Sequence, residues 1–368
     1  MADSIDKSVT DTKTTVEIPG AEEIIQDQQE KIEKVQSDGG PVEIEMDDQG
    51  GAEISFDPNA VTPEGGEEHF SNLAEFLDDG LLTELATTLS DKYTSYKESR
   101  ADWEDSYREG LDLLGFKYQR RTQPFRGASS VTHPVLAEAV AQFQATAYKE
   151  LLPADGPVRS QILGAVTPAK QDQANRVKDF MNYQLMDQMK EYEPEFDQML
   201  FYLPLAGSTF KKVYYDDLLG RAVSKFVHSD DLVVPYSATS LEDAEAVVHV
   251  IKMSENELRK QQVSGFYKDI DLGEPPVVEN QLTEKKQELE GITQNGQEDM
   301  YTLLEFHIDL DLEGYEDVNP EDGEPTGIKV PYIVTVDTAN TEILSIRRNY
   351  QAEDPLKKKI NYFVQFKF

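Results

Sequence analysis

The sequence predicts an α+β fold: a helical portion, an antiparallel β-rich portion after it, and an acidic segment ahead of both that does not fold alone. Three observations carry this. Apolar residues recur at helical spacing from Phe70 to Gly207; runs of β-branched and aromatic residues, separated by turn-formers, follow from Thr209 onward; and residues 1–66 combine acid and glycine with few aromatics. The organisation expected is a disordered acidic segment over 1–66, a helical portion over 67–206 and a β-rich portion over 207–368.

The first segment holds 17 acidic residues against four lysines, Lys7, Lys13, Lys31 and Lys34. It cannot bury enough apolar surface to offset the entropy of ordering. From Phe70 the pattern turns helical: Leu73, Phe76, Leu77, Leu81, Leu82, Leu85, Leu89, Tyr93 and Tyr96, then Trp103, Tyr107, Leu111 and Leu114. Around Lys97 to Asp102 the apolar side is narrow, which predicts a helix or helix pair lying across a surface and not in a core. After Gly115, Lys117, Arg120, Arg121 and Arg126 form a local basic concentration interleaved with Tyr118 and Phe125. Such a loop suits an acidic surface on a neighbouring subunit or a nucleic-acid backbone, and a solvated loop with locally satisfied charge fits the same residues.

Ser130 or Thr132 caps the next helix, with Pro134 near its start, Val135, Leu136, Ala139, Val140, Phe143, Ala147 and Leu151 on its face, and Pro153 at its end. Thr167 and Pro168 open another, with Val177, Phe180, Met181, Gln184, Leu185 and Met189 on one side. Pro194 opens a third, whose buried side is Phe196, Met199, Leu200, Leu203 and Leu205 and whose end is Gly207. Residues 209–215 and 222–227 flank a polar turn with Gly220, which predicts a hairpin docked on those last two helices. Beyond it come a strand over Ala246 to Met253, a capping box at Ser254 and Glu257 opening a helix that Gly265 closes, an exposed Lys/Glu/Gln-rich helix within 269–299, and strands at 301–312, 328–337, 343–348 and 360–368. The final strand ends without a polar tail, so a longer gene product is expected.

Composition narrows function. A formal net charge of −36 argues against general binding to a nucleic-acid backbone, which needs Lys and Arg to displace counterions. Without cysteine there is no disulfide framework, zinc-thiolate site or cysteine nucleophile, as suits a reducing compartment or a particle assembled inside a cell. No apolar run has signal-peptide or membrane-spanning character, so no membrane partner is expected.

The chemistry-bearing residues form no convincing catalytic set. His69, His133, His228, His249 and His307 are scattered, and phosphate-loop and nucleophile-elbow patterns do not occur. His307, Asp309 and Asp311 alternate along one strand face and are the best metal candidates, but the twelfth position of a calcium loop counted from Asp309 is Pro320. His228, Ser229, Asp230 and Asp231 are neighbours in a turn and cannot converge on one reacting atom. No catalytic residue, metal or cofactor is assigned.

The stretches MNYQLMDQM, DQMLFYLPLAGSTFKKVYYDDLLGRAVSKFV, SDDLVVPY and NELRKQQVSGFYKDIDL, with RGASSVTHPVLAEAV and KELLPADGPVRSQI, resemble the N-terminal part of portal proteins of tailed bacteriophages. The likeness covers about residues 70 to 368 and is one of running sequence, without a catalytic signature. It implies the wing of a portal-type fold, cut before the stem and clip, in a ring usually of twelve subunits at one capsid vertex. The portal is a head-tail connector and conduit for DNA packaging and ejection, and is not an enzyme. The partners implied are further copies of the chain, capsid and scaffolding proteins, the terminase motor and tail adaptor through the absent C-terminal part, and DNA passing without sequence specificity; the implied location is the virion, and the host cytoplasm during assembly. Trp103 and Tyr107, on an exposed helix, and Arg120, Arg121 and Arg126 are the expected subunit contacts, since arginine and large aromatics concentrate in interfaces. The rival readings are an acidic scaffolding or adaptor protein and a carboxylate-dependent metalloenzyme using His307, Asp309 and Asp311.

Overall fold

A computed structural model describes residues 43–46, 52–55, 69–115, 125, 133–216, 219–275, 282, 285–286, 300–318 and 324–368. The chain divides into two compact units, Met1–Glu68 and His69–Phe368. In the first, within the segment expected to be disordered, β1 (Glu43–Met46) and β2 (Ala52–Ser55) pair antiparallel, with Ile44 opposite Ile54. The second unit is mixed helix and antiparallel sheet, the α+β class the periodicities predict; the helical and β-rich portions belong to one compact body.

Its centre is a five-stranded antiparallel sheet in the order β5 (Leu232–Val233), β6 (Ala246–Met253), β7 (Tyr301–Leu310), β8 (Val330–Asp337), β9 (Ile343–Arg348). Strand alternation sends Leu304, Phe306 and Ile308 to one face and Leu303, Glu305 and His307 to the other. The first face is covered by α1 (Asp79–Ser99), which Asp78 caps by accepting from the Gly80 N–H, and by a 3₁₀ turn at Leu73–Glu75. Leu82, Ala86 and Leu89 of α1 are buried there with Val248, Phe306, Tyr332 and Ile346. Each leucine so buried contributes about 1.5–3 kcal/mol. This corrects the expectation of a helix lying across a surface and not in a core: the apolar face of α1 closes the main core. Asn72 locks the entry by accepting from Ile346 N at 3.0 Å and donating to the Leu344 carbonyl at 3.0 Å.

On the opposite face, α6 (Glu255–Val263) opens with the predicted reciprocal Ser254 and Glu257 cap. Leu258, Tyr267 and Leu272 pack there on Tyr301, Leu303 and Leu344.

A three-stranded antiparallel sheet, β10 (Phe363–Lys367), β3 (Ser208–Asp216), β4 (Arg221–Val227), contains the predicted hairpin, with Phe210 opposite Val227 and Asp216 opposite Arg221. It docks on α5 (Tyr192–Ala206), whose Phe196, Met199 and Leu200 are buried with Phe226 and Phe366 packed against them. Gly207 ends α5 at φ 78, a conformation that favours glycine, so the predicted stop is the observed one. α3 (Val135–Leu151) lies along α5, with Phe143, Ala147 and Tyr148 in the same cluster.

α4 (Pro168–Tyr183) departs from expectation. It begins at the predicted Thr167 cap, yet it holds no buried residue and passes into a π turn at Gln184–Gln188. The hairpin therefore docks on one of the two helices predicted to carry it. α4 is fixed at its C-terminal end, where Asn182 accepts from Val158 N at 2.9 Å and donates to its carbonyl at 3.2 Å. Gly156 makes this possible: a Cβ there would sit 2.4 Å from the Asn182 side-chain oxygen.

Within 269–299, where the composition predicts an exposed helix, three described positions are buried: Leu272 against the sheet, Leu282 against Tyr107 and Lys286 beside Asp230.

Candidate functional site

Two polar clusters and one bare apolar surface stand out. The first cluster lies on the strand face opposite α1, where β7 places Glu305 and His307 two residues apart. Antiparallel register sets His249 of β6 directly across from Glu305. Lys212 of β3 reaches in from the other sheet and donates to both Glu305 oxygens at 2.6 and 2.7 Å; His307 Nε2 lies 2.7 Å from Oε1 and His249 Nδ1 3.9 Å. Phe363 of β10 closes the group, its ring meeting His249 and His307 edge-on at 5.5 and 5.1 Å.

Burial opposes ionisation of Glu305, but the Lys212 ammonium and the two imidazoles outweigh it and hold the carboxyl well below its usual range. Burial lowers both histidines, so they stay neutral near pH 7. With its oxygens shared by Lys212 and His307, Glu305 acts as an ionic staple between the two sheets. A cavity of about 460 Å³ adjoins it, bounded by Ser240, Val247, His307, Lys359 and Tyr362.

The second cluster is the 228–232 turn. Arg100, between α1 and α2 (Ala101–Leu114), donates to the carbonyls of Ser229 at 3.1 Å, Asp230 at 2.6 Å and Leu232 at 2.9 Å, and to Glu104 at 2.9 Å. Asp230 pairs with Lys286, and His228 packs edge-on against Tyr202. Burial, then Lys286, push His228 down to about 3. The His-Ser-Asp-Asp run is thus a clamped turn, as the sequence predicts.

The expected interface aromatics lie inside the fold, which corrects their placement. Tyr107 is 3 % exposed and stacks on the half-buried Trp103 at 5.3 Å; the Trp103 N–H donates to the Ala206 carbonyl at 3.3 Å. The reason is amphipathic: Trp103, Tyr107 and Leu111 share the α2 face that closes on Tyr202 and Ala206 of α5. Arg120, Arg121 and Arg126 lie outside the described residues.

The metal candidates do not converge. His307 turns to Glu305, Asp309 and Asp311 are exposed, and among the described residues no three His, Asp or Glu side chains are placed to share an ion. Sequence reasoning missed Glu305, Lys212 and Arg100. The alternation of Glu305 and His307 inside an otherwise apolar strand was a legible signal of a buried polar pair; the lysine from another sheet had no local one.

The bare surface is α4. Val177 is 48 %, Phe180 58 % and Met181 43 % exposed, and Leu163 and Val166 just before it are more so. Comparison with known proteins finds no matching family model and no matching curated protein.

Proposed function

We propose that this chain is a structural subunit of a tailed-bacteriophage portal ring, an oligomer of the class that forms the DNA conduit and head-tail attachment point at a capsid vertex. The running likeness over residues 70 to 368 supports the reading, and α4 carries it: a 16-residue helix with no buried residue and an apolar side open to water suits a protein whose working form is an assembly. A ring subunit contacts its neighbours through two different faces, so it needs surplus sticky surface of this kind. The chain's role is passive. A net charge of −36 fits a conduit past which DNA slides without phosphate anchoring. Capsid, scaffold, motor and tail proteins are then the partners, and no bound cofactor is needed.

An acidic adaptor is the second reading, favoured by the charge alone. Mass in solution separates the two. Light scattering of the full-length protein across a concentration series, with negative-stain imaging, is expected to give closed rings of about twelve copies, the closed cyclic assembly that a heterologous contact generates. A monomer or dimer at every concentration, with no rings on the grid, overturns the portal reading in favour of the adaptor.

A further inference from the structure

The arrangement of charge around α4 points to what covers it. At 100° per residue Val177, Phe180 and Met181 form one face, and Arg176 and Lys178 flank that face on opposite sides, while Asp172 and Asp179 lie round the back. Arg176 forms no ion pair among the described residues, and Lys178 pairs only with its exposed neighbour Asp179 at 3.3 Å. A partner for this face is therefore apolar along its centre and acidic at both rims.

The same subunit carries such a surface elsewhere. Between α1 and the segment after β7 runs a groove of about 330 Å³ whose apolar lining includes Leu77, Leu81 and Leu85 and whose rim carries Glu84, Asp311 and Glu313. None of these three carboxylates forms an ion pair among the described residues, and Asp311 and Glu313 are exposed. Two α4 faces set against each other would place the basic rims of both copies side by side, with Asp172 and Asp179 set behind Arg176. The groove carries its acid on the rim itself.

We infer that the α4 face of one copy seats in the Leu77, Leu81 and Leu85 groove of a second copy, with Arg176 and Lys178 against Glu84, Asp311 and Glu313. This rests on the ring reading and deepens it, because the two surfaces differ and the contact is head-to-tail. Complementary rims set register and orientation, and the apolar centre supplies the burial.

The absence of cysteine gives a clean test. Single-cysteine chains V177C and L81C are mixed and oxidised, and the products resolved by mass. A V177C to L81C disulfide dimer exceeding either homodimer at least tenfold is expected; equal yields, homodimers alone or no cross-link at all overturn the pairing. In parallel, R176E/K178E and E84K/E313K are each expected to weaken association about tenfold, the effect of losing two rim ion pairs, with recovery when the two variants are mixed. Unchanged association, or no recovery, counts against it. If the unmodified full-length protein stays monomeric at all concentrations, the ring reading itself has failed; if it associates without the heterologous cross-link, only this pairing has.

Discussion

α1 and α4 look alike in sequence and behave oppositely in the fold. Each has a capped start and apolar residues at helical spacing. α1 closes Leu82, Ala86 and Leu89 onto a sheet, while α4 leaves Val177, Phe180 and Met181 in water. The difference teaches that periodicity reports a face to be covered and says nothing of whether the cover belongs to the same chain. α1 meets its cover in strands more than 200 residues on, where Phe306 and Ile346 stand. For α4, the cover inferred above is a second subunit.

The comparison breaks most severely if the body behind α1 is not as tightly determined as its packing implies. Lys212→Ala strands Glu305 in a buried site, and is expected to destabilise the folded chain by about 3–5 kcal/mol. Lys212→Ala with Glu305→Leu removes both charges and is expected to recover most of that. Urea unfolding of the three proteins measures it; equal midpoints for the parent chain and Lys212→Ala would mean the staple is ornamental.

Leu89→Ala in α1 comes next. Leu89 is 1 % exposed, so truncation loses transfer energy and leaves a cavity, at about 2–5 kcal/mol. A loss below about 0.5 kcal/mol, the range of surface changes, would erase the contrast with α4.

Acid should act on the body before it acts on α4. His228, His249 and His307 are all held below their ordinary range, first by burial. Below about pH 6.5 the unfolded chain takes up protons that the folded one refuses, so stability falls with pH by about 1.4 kcal/mol per unit for each such group. For His228 that loss continues down to about pH 3. Glu305, with its depressed pKa, adds a loss that begins as pH drops through the ordinary carboxylate range. Thermal melts from pH 7.5 to 4.5 should therefore show a steadily falling Tm, and a flat profile would contradict the neutral buried histidines.

These effects show why some of the molecule was legible and some was not. Element types came through because the signals are local: Thr167 as a cap, Gly207 as a stop, the Ser254 and Glu257 box, the hairpin around Gly220. Burial came through less well. A narrow apolar side and the enrichment of large aromatics in interfaces point Trp103 and Tyr107 outward, yet their face of α2 turns inward to Tyr202. Likewise two-residue alternation groups His307 with Asp309 and Asp311, but its partner is Glu305, two residues the other way, held by a lysine from a second sheet. Two-residue alternation marks which side chains share a face, but the group that crosses from another element is set by tertiary packing.

The smallest effect sharpens the comparison most. Phe180→Ser removes a large apolar group from α4, and in an isolated subunit this should change unfolding free energy by no more than about 0.5 kcal/mol, because 58 % of the side chain's residue surface already meets water. Its consequence belongs to assembly, where solution mass should fall at concentrations at which the unmodified chain associates. The two readouts must separate. If Phe180→Ser lowers the urea midpoint as Leu89→Ala does, α4 is packed against its own chain and the contrast collapses; if neither midpoint nor mass moves, the face has no partner of its own kind.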